Sequence, residues 1–208
     1  MNLFDAPLQH QFYIASNQGA DYDLSKIFDG TLVQSQPDKA VTLVDNHDTQ
    51  PLQQLEAPVE HWFKPIAYAL ILLRAEGYPC IFYPDLFGAH YVDKDKEGND
   101  CEIFLEKVEE LEILLSIRQN NVYGVQHDYF DHSDCIGWTF EGNEDLPGCA
   151  VVISNNGPGD KIMEVGTKYS GKFFYDALGI VNDHIEIDKN GCGKFSVSKN
   201  GISVWIVL

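Results

Sequence analysis

Apolar residues follow two rhythms along the chain, and the change comes near Asn120-Asn121. Before it, short apolar runs that end in an acid alternate with stretches in which apolar residues recur every three or four positions. The runs are Leu3-Phe4-Asp5, Val41 to Asp45 and Cys80 to Asp85. Their acids, Asp5, Asp45 and Asp85, stand forty residues apart, room for a strand, a loop, a helix and a return loop. Continuously apolar strands suit a parallel sheet covered on both faces. Between them, Leu8, Phe12 and Ala15 share one helical face that Gly19 stops. Asp23 is placed to cap a short helix carrying Leu24, Ile27 and Phe28. Trp62, Ile66, Leu70 and Leu73 make a stripe within Glu60 to Glu76, with Pro65 near its start and Gly77 just past its end. A helix is also predicted from Glu102 to Arg118. Ile103, Val108, Leu111 and Leu115 form its inward face and Glu106, Glu109, Glu110 and Glu112 its wet face.

Beyond Asn121 the apolar stretches are short and close together. Strands are predicted at Cys135 to Phe140, Cys149 to Ser154, Lys172 to Tyr175, His184 to Ile187, Lys194 to Val197 and Ile202 to Val207. Turn residues separate them: Glu141-Gly142-Asn143, Asn155 to Gly159, Lys189-Asn190-Gly191 and Lys199-Asn200-Gly201. This is the pattern of an antiparallel β-sandwich. Trp138 and Trp205 fall at strand positions, where packing in the core is the expected role. The whole reads as α/β plus all-β. Three strand-helix units do not close a parallel barrel, however, which needs eight and about 250 residues.

Composition narrows the function classes. The chain has 208 residues, 44% of them hydrophobic, enough to pack a core. Its formal charge of -18 argues against nucleic acid and against an anionic membrane surface, both of which need clustered Lys and Arg. A neutral ligand or a cation suits it better. Five cysteines at wide spacing, with no C-x-x-C pair, predict free thiols in a reducing compartment rather than a zinc cluster or a disulfide framework. The first ten residues lack the pattern of a signal peptide. The longest apolar run, Ile66 to Leu73, is eight residues where a membrane span needs about 20, so a soluble protein is expected.

Candidate chemistry gathers where the parallel strands end. Asp5, Asp45, His47, Asp48 and Asp85 all fall at that rim, the place where functional groups collect in parallel α/β architectures. On residue type alone three readings stand: a working rim, acids that cap the helices that follow, or a metal site. Asp-x-His-Asp on one short loop is no specific metal signature.

The segment Ala40 to Pro51, an apolar strand followed by Asn46-His47-Asp48, closely resembles the fourth sequence region of the α-amylase family, glycoside hydrolase family 13. The resemblance extends along the chain. Phe4 to Leu8 is similar to the sixth barrel strand, Trp62 to Arg74 to the seventh helix, and Gly77 to Gly88 to the eighth strand and its loop. Gly124 to His132 and Gly201 to Ile206 resemble the C-terminal sandwich of bacterial liquefying-type α-amylases, while Tyr83-Pro84-Asp85 and Gly88 to Tyr91 look most like their cytoplasmic relatives. The resemblance therefore implies a partial (β/α)8 barrel, strands six to eight, over residues 1–120, and an antiparallel β-sandwich over residues 121–208.

What the resemblance implies for function is specific. The substrate would be an α-glucan: starch, glycogen or maltodextrin. Retaining cleavage uses two carboxyl groups about 5–5.5 Å apart across the bond. By resemblance Asp48 is a third acid that stabilises the transition state, His47 binds sugar hydroxyls, and Asn46 braces the loop. The nucleophile and the general acid belong to the fourth and fifth strands, upstream of this chain, so the chain alone is expected to be inactive. Calcium is allowed by the same resemblance, held by the carbonyls of Ala20, Tyr22 and His127 and the carboxylate of Asp128. Asn155 stands where a second acid would be, which predicts weaker binding. The missing N-terminal half of the barrel is the implied partner. Without it, unpaired strand edges predict self-association. A noncatalytic carbohydrate-binding fragment and a branching or debranching member of the family are the alternatives.

Overall fold

Asp5 ends the first strand and starts two helices. In the computed structural model, which describes residues 1–198 and 200–208, β1 (Leu3–Phe4) gives way to α1 (Ala6–Gln18). The buried Asp5 carboxylate accepts from Leu8 N at 3.1 Å, one of the amides that a helix start leaves without a partner. It also accepts from Leu32 N at 3.0 Å and Val33 N at 2.6 Å, the first turn of α2 (Leu32–Ser35). Gly19 closes α1 as predicted, and Asp23 caps a single 3-10 turn, Leu24–Lys26.

β2 (Ala40–Leu43) lies parallel to both β1 and β3 (Tyr78–Cys80), so the sheet order follows the chain. α3 (Lys64–Leu72) returns the chain from β2 to β3, with Pro65 in its first turn, where no amide is needed. Residues Ile66 to Leu72 of α3 are all buried. A helix apolar on every side has to be covered on every side, and the second half of the chain supplies the cover.

Three predicted elements are corrected. The stripe helix ends at Leu72, four residues short of Glu76, and Gly77 does not cap it. Its last carbonyls find partners elsewhere: Arg118 donates to Leu72 O and the Trp138 indole N–H to Leu73 O. Gly77, at φ 81°, turns the chain into β3, and a Cβ there would stand 2.8 Å from Thr42 Cγ2. The third strand stops at Cys80. Tyr83–Phe87 is instead a short helix, α4, with Pro84 in its first turn, so Asp85 is helical. Finally, the helix predicted from Glu102 begins only at Leu111. Before it, β4 (Ala89–Lys94) and β5 (Asp100–Leu105) form a hairpin in which Ile103 opposes Tyr91. Cys101 to Leu105 alternates in exposure with a period of two, a strand pattern that the surrounding glutamates obscure. In α5 (Leu111–Asn121), Leu111, Leu114 and Ile117 are buried and Leu115 only partly.

The second half is antiparallel. β6 (Gln126–Tyr129), β7 (Cys135–Gly142), β8 (Pro147–Ser154), β10 (Phe173–Asp176), β11 (His184–Glu186) and β13 (Gly201–Val207) make one sheet in the order β11-β10-β13-β8-β7-β6. β9 (Gly159–Glu164) pairs with β12 (Cys192–Val197) as a two-stranded layer over it. All six predicted strands are present; β6 and β9 are additional. Of the predicted turn Lys199-Asn200-Gly201, Lys199 lies outside the described residues, and Asn200 adopts φ 47°.

β8 explains how the halves join. Ala150 and Val152 face β9 and β12, in a core with Met163, Phe195 and Trp205. Cys149, Val151 and Ile153 face the other way, into a core shared with Leu70, Leu73, Leu114 and Ile117 of the first half. A strand buried on both sides reads as a continuous apolar run.

Candidate functional site

The carboxyl end of β2 leads into a loop whose shape its own side chains set. Asn46 Oδ1 accepts from Asp48 N at 2.9 Å and Thr49 N at 3.0 Å, a local turn that mimics a helix start. Thr49 Oγ1 accepts from Asn46 N at 3.1 Å and donates to Asp45 Oδ1 at 3.3 Å. Asp45 Oδ1 also accepts from Val59 N at 3.2 Å, which closes the loop at its far end. His47 and Asp48 stand at the outer tip. Their side chains are 84% and 55% exposed, with His47 Nε2 3.5 Å from Asp48 Oδ1.

Beneath the tip lies a buried charge network. Lys64 Nζ is 2.9 Å from Asp45 Oδ2 and hydrogen-bonds Asp85 Oδ1, while Tyr68 Oη donates to Asp85 Oδ2 at 2.7 Å. Phe82 N donates to Tyr68 Oη at 3.3 Å. One ammonium thus ties the end of β2 to the segment after β3. Burial pushes the Asp45 carboxyl above its ordinary range, against the pull of Lys64. Burial would lower Lys64, but Asp45 and then Asp85 outweigh it and hold the ammonium above its usual value. Tyr68 is raised by burial and by the neighbouring Asp85. Sequence reading brings Asp45 and Asp85 to the rim but not Lys64 and Tyr68, which join them here. The legible signal was Lys64 itself, a charge set between Phe63 and Pro65 at the head of an apolar helix.

The rim acids therefore divide by environment. Asp5 is occupied by three amides, and Asp45 and Asp85 share Lys64. Only Asp48, beside His47, presents an exposed carboxylate at the end of a parallel strand. A cleft of ≈ 310 Å³ runs beside this loop, lined by Asp45, Gln50, Val59, His61, Lys64 and Phe104 among others; His47 and Asp48 stand outside its wall. Gln53 Nε2 donates to Asp93 Oδ2 at 2.9 Å and ties the loop to the β4–β5 hairpin.

The residues expected around calcium have other partners. Asp128 accepts both guanidinium nitrogens of Arg74, at 2.8 and 2.9 Å. Arg74 is buried among Phe28, Phe130 and Trp138, at 4.9, 5.3 and 5.6 Å from their ring centroids. The His127 side chain meets Glu141 Oε1 at 2.7 Å. Asn155 Nδ2 donates to Tyr22 O at 2.8 Å and to Gly19 O at 2.8 Å, the neighbour of the expected Ala20. Calcium binds oxygens, and here an N–H donor faces the Tyr22 carbonyl. The donor set as arranged does not fit the ion.

The cysteines Cys80, Cys101, Cys135, Cys149 and Cys192 are all free. Among the described residues, no helix is long and apolar enough to cross a membrane.

Residues 149–206 match the α-amylase C-terminal family model. The chain is 50% identical over 205 residues to the cytoplasmic α-amylase of Escherichia coli (strain K12), covering 99% of this chain and 41% of the relative. It is 44% identical over 208 residues to the α-amylase of Geobacillus stearothermophilus, covering 99% of this chain and 36% of that one. The chain thus spans about two fifths of the length of these relatives. Among solved structures, the E249Q variant of α-amylase I from Eisenia fetida, in complex with maltohexaose, superposes with a TM-score of 0.69. It covers 100% of this chain and 49% of that one at 12% identity, a likeness of fold alone.

Proposed function

The chain belongs to the bacterial α-amylase family, and from that premise we propose that it is the C-terminal portion of an enzyme that hydrolyses internal α-1,4-glucosidic bonds of starch, glycogen or maltodextrin with retention. In this reading β1, β2 and β3 are strands six to eight of a (β/α)8 barrel, residues 1–120 complete that barrel's end, and residues 121–208 are the sandwich behind it. Asp48 stabilises the cation-like transition state and His47 holds sugar hydroxyls. The nucleophile and the general acid lie upstream, so this chain alone is inactive. We place the protein in the cytoplasm, the compartment that the name of the Escherichia coli cytoplasmic α-amylase gives for that relative.

One observation carries the reading. Of Asp5, Asp45, Asp48 and Asp85, Asp48 alone keeps an exposed carboxylate, with His47 Nε2 3.5 Å away, and its loop is braced from below by the Asp45–Lys64–Asp85 network. A carboxylate meant to face a sugar must be reachable. One meant to hold the fold is consumed by donors, as Asp5 is.

The test is reconstitution. Reducing-sugar release from soluble starch should be absent for the isolated chain and restored on mixing with a separately produced N-terminal half. Asp48→Asn in this chain should abolish the restored activity, while an exposed change away from the rim, Lys189→Gln, should leave it intact. Starch hydrolysis by the isolated chain at the rate of an intact amylase would overturn the assignment of the missing groups.

A further inference from the structure

The junction between the segment after α1 and the sandwich has a buried polar crossing at Asn155. Asn155, at the end of β8, is 1% exposed. Its Nδ2 donates to Gly19 O and Tyr22 O, both at 2.8 Å. Its own amide donates to Asp134 O at 3.2 Å, and Leu24 N donates to Ser133 O at 2.7 Å beside it. We propose that Asn155 is a metal-free cross-link, which does with one carboxamide what a calcium ion would otherwise do at this junction.

Two substitutions of partner make the case. A terminal atom with two carbonyl oxygens at 2.8 Å must be either a donor or an oxygen that shares a cation with them. An amide –NH2 has two hydrogens, one for each carbonyl, and satisfies both without an ion. The carboxylate of the expected set is also committed elsewhere. Asp128, the carboxylate in the expected calcium set, is held bidentately by Arg74, and Arg74 is fixed by three aromatic faces and by Glu76 at 3.3 Å. A divalent cation between Asn155 and the two carbonyls would meet an amide donor, and the Asp128 carboxylate is already neutralised by Arg74. Asn155 Oδ1 has no partner among the described residues, so the side chain is oriented by its donors alone.

The experiment uses the chain itself and needs no catalysis. Thermal unfolding is followed by circular dichroism after exhaustive treatment with EDTA, and again with excess calcium chloride. Calcium chloride is also titrated by calorimetry. The wild-type midpoint should be the same in EDTA and in calcium, with no saturable heat. Asn155→Leu, which removes both donors and can bind no ion, should lower the midpoint by about 5–10 °C in either buffer. Asn155→Asp should be destabilised in EDTA, where a carboxylate faces two carbonyl oxygens, and should regain stability when calcium is added. A wild-type midpoint that falls on chelation, a saturable calcium heat, or an Asn155→Leu variant as stable as wild type would each overturn the proposal.

Discussion

Replacing Lys64 by Met tests the buried network most directly. The change keeps the length of the side chain and removes the one cation that faces both Asp45 and Asp85. Lys64 is 8% exposed, Asp45 4% and Asp85 0%, so solvent cannot take over the ammonium's role. Breaking a buried ion pair from one side typically destabilises by about 3–5 kcal/mol, because a charge is left buried without compensation. For a chain of this size that corresponds to a fall in Tm of about 6–20 °C. The sign of the pH dependence follows from the two shifts. Lys64 is raised in the folded state, so its contribution is complete at neutral pH and fades only as pH rises through the folded lysine value. Asp45 is also raised, so its ionisation subtracts stability as pH climbs out of the carboxylate range. Without Lys64 that penalty grows. The deficit of the variant against wild type should be largest at about pH 7 and shrink toward about pH 5, as the orphaned carboxyls protonate. Urea unfolding at both pH values, followed by circular dichroism and tryptophan fluorescence, gives the difference. The double variant Lys64→Met/Asp85→Asn should recover part of the loss at neutral pH. A deficit below about 1 kcal/mol, or one that does not shrink on acidification, would refute the reasoning.

Three further outcomes are expected. Gly148→Ala should cost about 3 kcal/mol by urea unfolding, because a Cβ there would lie 1.8 Å from Phe140 O, a backbone atom in the paired strand. Asp131 is held down to about 2, chiefly by its hydrogen bond from Lys161. Its contribution is therefore present above the ordinary carboxylate value and lost as pH falls toward 2. NMR titration should show the Asp131 carboxyl returning to its usual range in Lys161→Met. Phe4 is exposed on β1, which pairs only with β2, so the chain should self-associate through that edge. Sedimentation velocity should show association at high concentration that Phe4→Lys reduces, and a wild-type chain that stays monomeric would count against it.

Much of the architecture was legible without coordinates. The short, closely spaced apolar runs with Asn-Gly and Gly-Pro turns marked all six predicted strands, because strand preference and turn chemistry are local properties of the backbone. Asp5 and Asp23 were readable as caps for the same reason. The Asn46-His47-Asp48 loop was identifiable as a candidate site, since an apolar strand ending in acids and an imidazole is a pattern carried by neighbours in sequence. What failed was also instructive. Glu102 to Arg118 offered both periods at once, and pairing with β4, which only the fold provides, decided for a strand up to Leu105. The stripe helix stopped at Leu72 because Arg118 and Trp138, far away in the chain, take its last carbonyls.

Sequence by itself determined most of the elements, the kinship of the chain, and a candidate loop for chemistry. It could do so because helical and strand periods, caps and turns are written into residues a few positions apart. Which rim acids are buried and paired was decided only by the tertiary structure: Lys64 meets Asp45 across 19 positions and Asp85 across 21, while Asp48 is exposed. Whether the junction holds an ion or an amide was likewise beyond any local pattern. It depends on Asn155 reaching Gly19 and Tyr22, 136 and 133 residues away. Burial and partnership are properties of contact, and contact is made by the fold.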